Sequence, residues 1–220
     1  MKIKLGANEP LTILNSQGVV FQTYSANAVD LGLPSGTKWA DRNVGADSPE
    51  DTGLYFTWGS VEGFTKDSGR YCDGSYVSER NWTGPYSKEH GSELGNSQNI
   101  PVNEYFDAAR KNMGAPWRMP TKAEMQELYD SAYTTWTWTQ RNGMNGYLVV
   151  SKVNGNSIFL PAAGCFDSVF NSFGIYGGYF GSDFVSEESC CKLSFDSSGY
   201  INPENDDYRY YGYPVRPVQD

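Results

Sequence analysis

Residues 121–160 read TKAEMQELYDSAYTTWTWTQRNGMNGYLVVSKVNGNSIFL, and the change of pattern inside this stretch decides the fold class. Thr121-Lys122-Ala123-Glu124 is a capping box: the threonine hydroxyl suits the amide three residues on, and the glutamate carboxylate suits the threonine amide. Met125, Leu128, Tyr129 and Ala132 then recur on one helical face. Beyond the helix the texture is β. Tyr147-Leu148-Val149-Val150 and Ser157-Ile158-Phe159-Leu160 flank Asn154-Gly155, a pair that supplies the positive φ of a two-residue hairpin turn. Trp136 and Trp138 stand at period two directly after the helix, so burial against a sheet is expected of them rather than stacking on a sugar.

Working outward, Asn103 is expected to cap an earlier helix running to about Met113, closed by Gly114 in a left-handed conformation. Gly178–Phe180, Lys192–Phe195 and Val215–Val218 read as strands, with turns at 196–199 and 202–207. Shorter β segments are expected at Thr37–Ala40 and Gly53–Trp58, and residues 59–99, rich in Gly, Ser, Asn and charge, as an irregular surface excursion. Residues 1–27 form a separate β arm or hairpin around Asn15-Ser16-Gln17-Gly18, suited to docking the chain onto another protein or a second copy. Two helices followed by a mixed, loop-rich sheet make the domain at 28–220 α+β.

The composition narrows the function. Its 17 Lys plus Arg against 26 Asp plus Glu give a net charge of −9, a poor electrostatic partner for nucleic acid or anionic membrane. With 16 Tyr, 11 Phe, 6 Trp and 24 Gly the chain is far from the composition of a disordered segment. The single histidine, His90, rules out a two-His metal site within one chain and leaves a Ser-His-Asp triad only one route. No metal or cofactor is expected. Cys72, Cys165, Cys190 and Cys191 fit no zinc or CxxC spacing and read as ordinary thiols, with one of the adjacent pair buried and the other exposed; a disulfide through Cys165 stays open. No secretory signal follows Met1, and no window is apolar enough to span a bilayer, so the expected product is made in the cytoplasm.

Four segments arrive in register: Val29-Asp30-Leu31-Gly32-Leu33-Pro34-Ser35-Gly36-Thr37-Lys38-Trp39-Ala40, Trp117-Arg118-Met119-Pro120-Thr121, Asn156-Ser157-Ile158-Phe159-Leu160-Pro161-Ala162-Ala163-Gly164 and Tyr211-Gly212-Tyr213-Pro214-Val215-Arg216-Pro217-Val218. Together they resemble the Fibrobacter succinogenes major paralogous domain family of Bacteroidetes. The resemblance implies a C-type-lectin-like fold, related to the formylglycine-generating enzyme and to the variable proteins of diversity-generating retroelements. It further implies a receptor-recognition protein of a phage or prophage, virion-associated or otherwise displayed, whose carboxy-terminal part binds a protein or glycan on a target cell.

Residues 165–186, CFDSVFNSFGIYGGYFGSDFVS, carry that expectation. Every residue type among these 22 is reachable from an Asn codon by changing its adenines, as adenine-directed rewriting requires. Seven are aromatic and the rest mostly small and polar, the mixture paratopes use. Their glycines and lack of alternation suggest loops. The expected ligand-binding residues are Phe166, Asp167, Ser168, Phe170, Asn171, Phe173, Ile175, Tyr176, Phe180, Asp183, Phe184 and Cys190, joined by Asn205, Asp206, Asp207 and Tyr208. Exposure is favoured for Phe166, Phe170 and Phe173, whose spacing also suits a helix face, whereas Tyr179 and Phe180 beside Gly177-Gly178 resemble a strand entering the sheet.

Three other readings compete. Asn202–Asp207 offers oxygen ligands for a calcium-dependent lectin, although its Asn-Pro-Glu order is the reverse of the sugar-binding triplet and a solvated turn is the plainer role. An oxidase using Cys190 or Cys191 needs cationic neighbours, and Glu187 and Glu188 supply the opposite. A non-catalytic surface or virion protein would use all these rings for packing alone. Arg118 is expected to satisfy buried carbonyls or a carboxylate.

Overall fold

The computed structural model describes residues 11–14, 20–66, 98–167 and 170–220, and it is an α+β protein. Among those residues are two helices and six small antiparallel sheets. In the amino-terminal arm, β1 (Leu11–Leu14) pairs with β2 (Val20–Thr23), so the expected hairpin forms. Its turn at Asn15-Ser16-Gln17-Gly18 lies outside the described residues. The chain ends then meet: β4 (Lys38–Ala40) pairs with β3 (Ala28–Asp30) on one side and with β15 (Val218–Gln219) on the other. Nearby, β5 (Tyr55–Phe56) pairs with β14 (Tyr213–Pro214).

Helix α1 (Ala108–Met113) starts later than its sequence suggests. Asn103 Oδ1 accepts from the Tyr105 and Phe106 amides and so caps only a turn; Asp107, which accepts from the Arg110 amide, is the true N-cap. Gly114 closes the helix at φ 75°, as expected. Helix α2 (Lys122–Tyr129) carries the complete capping box, with Met125 and Leu128 buried. Ala132 is past its end and exposed, because the chain turns at Asp130.

The Glu124 carboxylate serves more than the cap. It accepts from the Thr121 amide at 2.8 Å, from Thr37 Oγ1 at 2.8 Å and from Arg118 at 2.6 and 2.9 Å. Burial opposes its charge, yet Arg118 and these donors outweigh it and hold the carboxyl at about 2. Arg118 also pairs with Asp220 at 2.6 Å, and its backbone bridges Val218. The arginine thus ties α2 to the carboxy-terminal segment, in the carboxylate-binding role read for it. The buried Arg216 guanidinium donates to Asn43 Oδ1, Ala40 O and Phe159 O instead.

After α2 come β6 (Thr134–Arg141), β7 (Met144–Ser151) and β8 (Ser157–Pro161), a meander. The β7–β8 hairpin is where the sequence places it, but its loop is longer than two residues, with Val150 opposite Ser157. The two-residue turn is Asn142-Gly143 instead, at φ 47° and 83°, which joins β6 to β7. Next is a small hairpin, β9 (Cys165–Phe166) and β10 (Phe170–Asn171), and then the long sheet β11 (Tyr176–Phe184), β12 (Ser189–Asp196) and β13 (Ile201–Tyr208).

Two expectations fail at this sheet. Residues 176–184 are a strand rather than loops. They lack polar alternation because both faces of β11 are covered, as in any doubly buried strand. The glycines serve close packing: a Cβ on Gly177 would overlap the Phe195 ring, and one on Gly178 the Tyr213 ring. Residues 202–207 are likewise strand and not turn. Polar β12 side chains supply the partners that make a polar strand stable there, Ser194 opposite Asn202 and Lys192 opposite Asn205.

Phe195 sits at the centre of the first core, between β6–β8 and one face of the long sheet. Its ring stacks on Tyr179 at 5.9 Å and meets Tyr147 edge-on at 5.2 Å, with half-buried Trp136 and Trp138 just beyond. A second core gathers Phe56, Trp58, Ile100, Phe180, Cys190 and Tyr213 on the other face. Phe64 is fully buried, so the stretch from residue 59 begins in the core instead of at the surface; residues 67–97 lie outside the described residues.

Candidate ligand-binding face

On the face of the long sheet opposite Phe195, the middle of β12 presents Lys192 and Ser194 instead of rings. Lys192 is buried, and its ammonium donates to the Asp207 carboxylate on β13 and to Tyr213 Oη at 3.0 Å. Tyr213 in turn donates to Asp207 at 2.7 Å. Burial opposes the ammonium, but Tyr176 and Asp207 keep its pKa above the ordinary lysine value. Its charge also stands 4.6 Å from the Tyr213 ring centre and 5.4 Å from that of Tyr176. Beside it Asn205 donates to Ser194 at 2.9 Å. This network ties β13 to β12 through polar groups, leaving the side chains of Glu204, Asp206 and Tyr208 at the solvent.

Two rims border the network. The β9–β10 hairpin lies along it, bridged by Gly164 to Gly177 and by Phe166 to Gly212. Past the hairpin the tight turn at 172–175 carries Phe173, 44% exposed, and Ile175, 58% exposed. At the other end Tyr208, 44% exposed, stacks on Tyr210 at 5.1 Å and 14°, and Tyr211 meets both edge-on. Asp206 is exposed next to this stack, and half-buried Asp167 is close enough to raise the Tyr210 and Tyr211 phenols, after their partial burial. The arrangement offers rigid rings flanked by carboxylates and amides, suited to apolar contact plus hydrogen bonding.

The expected residues divide three ways. Asp167, Asn171, Phe173, Ile175, Tyr176, Asn205, Asp206, Asp207 and Tyr208 are exposed or half-buried along these rims. Phe170 is half-buried, Asp183 is bound by the Lys122 amide at 2.6 Å, and Phe184 lies under the Arg209 guanidinium; all three are chiefly structural. Phe166, Phe180 and Cys190 are corrections: they are 5%, 0% and 0% exposed and cannot touch a ligand. Phe166 and Phe170 are cross-strand neighbours, not one helix face, and their rings close a cluster with Phe64 and Tyr55. Ser168 lies outside the described residues. Lys192, Tyr210, Tyr211 and Tyr213 were missed, although the run Tyr208–Tyr213, with four tyrosines around one arginine and one glycine, was a readable signal.

The cysteine expectations also change. Cys190 and Cys191 are both buried, since β12 is covered on both sides, and Cys165 donates to Asn171 Oδ1 at 2.9 Å. All three are free thiols. Burial pushes Cys191 up to about 12, Cys190 well above its ordinary value and Cys165 upward, so each stays protonated at neutral pH. Among the described residues no His, Cys, Asp or Glu cluster is arranged to hold a metal ion, the 202–207 stretch included, and no helix is long and apolar enough to cross a membrane. Compared with protein-family models, curated proteins and solved structures, the chain matches none.

Proposed function

We propose that this chain is a ligand-recognition protein of C-type-lectin-like architecture, and that it grips its target with the rims around Lys192. The observation that carries the reading is the pair of solvent-facing rings Phe173 and Tyr208, the latter stacked on half-buried Tyr210, mounted beside carboxylates at the rims of the sheet. Tyrosine gives contact area with little side-chain freedom to lose, and neighbouring Asn and Asp set specificity through hydrogen bonds. The target class is a protein or glycan on a cell surface, and the protein belongs with the variable proteins of diversity-generating retroelements in a phage or prophage. Adenine-reachable residue types at the exposed positions 173, 175, 206 and 208 and the half-buried positions 167, 171 and 205 support that assignment.

The experiment is binding of the fluorescently labelled chain to a panel of gut Bacteroidetes cells. A Phe173→Ser, Ile175→Ser, Tyr208→Ala triple variant is expected to lose cell binding while its thermal unfolding stays close to that of the parent. Undiminished binding by the folded variant overturns the reading. A near-copy of the gene's 3′ end beside a reverse transcriptase gene, differing mainly at adenines, tests the retroelement assignment separately.

A further inference from the structure

A cleft of about 540 Å3 opens on the opposite side of the long sheet, where the end of α2 meets β6. Its volume falls inside the span of small-molecule sites, roughly 300–1,000 Å3. Tyr129, Asp130, Ser131, Trp136, Lys152 and Ile201 are among its lining residues. The aromatic corner is fixed before any ligand arrives. Trp136 Nε1 donates to Leu128 O at 3.2 Å and to Thr134 Oγ1 at 3.1 Å, and the Tyr129 ring stands edge-on to it at 5.7 Å. Tyr129 is 38% exposed, so its ring is available.

The polar groups are also held in place but not saturated. Asp130 Oδ1 accepts from the Ala132 amide at 2.8 Å, and its other oxygen accepts nothing from the described residues. Lys152 Nζ spends one proton on Ser131 O at 2.7 Å and keeps two. Among the described residues, neither the Tyr129 nor the Ser131 hydroxyl has a hydrogen-bond partner. An apolar ligand would strip water from Asp130 and Lys152 without replacing it. A charged ligand would meet the like charge of one of the pair as well as the opposite charge of the other. A neutral ring with a carbon face and several hydroxyls satisfies both halves of the lining.

We propose that this cleft is a second binding site, which takes a neutral pyranose unit of a glycan with its C–H face on the exposed Tyr129 ring, beside Trp136, and its hydroxyls on Asp130 and Lys152. Because it lies across the sheet from the tyrosine rim, either site stands if the other fails.

The test titrates the intact, 15N-labelled chain with cello-, xylo-, manno- and maltohexaose and follows the indole N–H resonances, with that of Trp136 assigned through Trp136→Phe. At least one oligosaccharide should shift the Trp136 resonance saturably, and Tyr129→Ala and Asp130→Asn should each weaken that binding by about tenfold or more. Both substituted residues are at the surface, and an unchanged spectrum elsewhere shows that the variants are folded. The proposal is overturned if none of the four perturbs Trp136 up to ~10 mM, where binding carries little specificity. It is equally overturned if both variants bind like the parent, or if oligogalacturonate or chitosan oligomers bind more tightly than every neutral probe.

Discussion

The two faces of the β11–β12–β13 sheet are built from the same strands yet behave as different materials. Toward β6–β8, alternate residues Tyr179, Leu193 and Phe195 interlock with Trp136, Trp138 and Tyr147 in a dry aromatic core. On the opposite face, Lys192, Ser194, Asn205 and Asp207 are joined by hydrogen bonds, and the rings at the rims face water. The first face is held by volume, so little can change there without a cavity or a clash. The second face packs its own core around Phe180, Cys190 and Tyr213. Beyond it, β13 is held by a few polar partners and by backbone pairing, so the solvent-facing rim side chains carry little of the stability. Such a division allows rim side chains to change without unfolding the sheet.

The largest effect is expected on the packed face. Phe195→Ala should cost about 3–5 kcal/mol in denaturant unfolding, since it empties the centre of the aromatic cluster. On the polar face, Lys192→Ala should cost about 3 kcal/mol, because Asp207 loses its counter-charge in a partly buried site and keeps only neutral donors. The double variant Lys192→Met/Asp207→Leu should recover much of that loss, a test that separates a specific pair from simple filling of space.

Acid probes the frame common to both faces. Glu124 has its pKa lowered to about 2, so the stability it contributes is present above the ordinary carboxylate range and is lost as pH falls toward 2. Unfolding of the parent should therefore weaken by about 3 kcal/mol between roughly pH 5 and pH 2, and Glu124→Gln should remove much of that slope at the cost of lower stability at neutral pH. The smallest effect belongs to the rim. Tyr208→Ala should change stability by about 1 kcal/mol or less, the worth of one stacked pair at the surface, while reducing cell binding at least about tenfold.

Legibility in the sequence followed the range of the forces involved. The capping box, the glycine stop at Gly114 and the carboxylate partner of Arg118 were readable because each is settled within a few residues or by one strong ion pair. The Asn142-Gly143 turn was just as local and was passed over in favour of Asn154-Gly155. Strands β11 and β13 were not legible on their own terms. One has no polar alternation because it is covered on both sides, and the other is stable only because β12 supplies Lys192 and Ser194 across the ladder. The same cause misplaced the Phe166 and Phe170 rings. Nothing near them in sequence announces that Phe64 and Tyr55, about a hundred residues away, close over them.

The most direct test of this account is a pair of display libraries compared for folding and for binding. One randomises Asp167, Phe173, Ile175, Asp206 and Tyr208; the other randomises Tyr179, Phe180, Leu193 and Phe195. The account predicts that most members of the first library remain protease-resistant and that binders to new cell-surface targets can be selected from it, while most of the second unfold. Equal loss of protease resistance in both libraries would contradict it, since the rim would then be as much a part of the packing as the core.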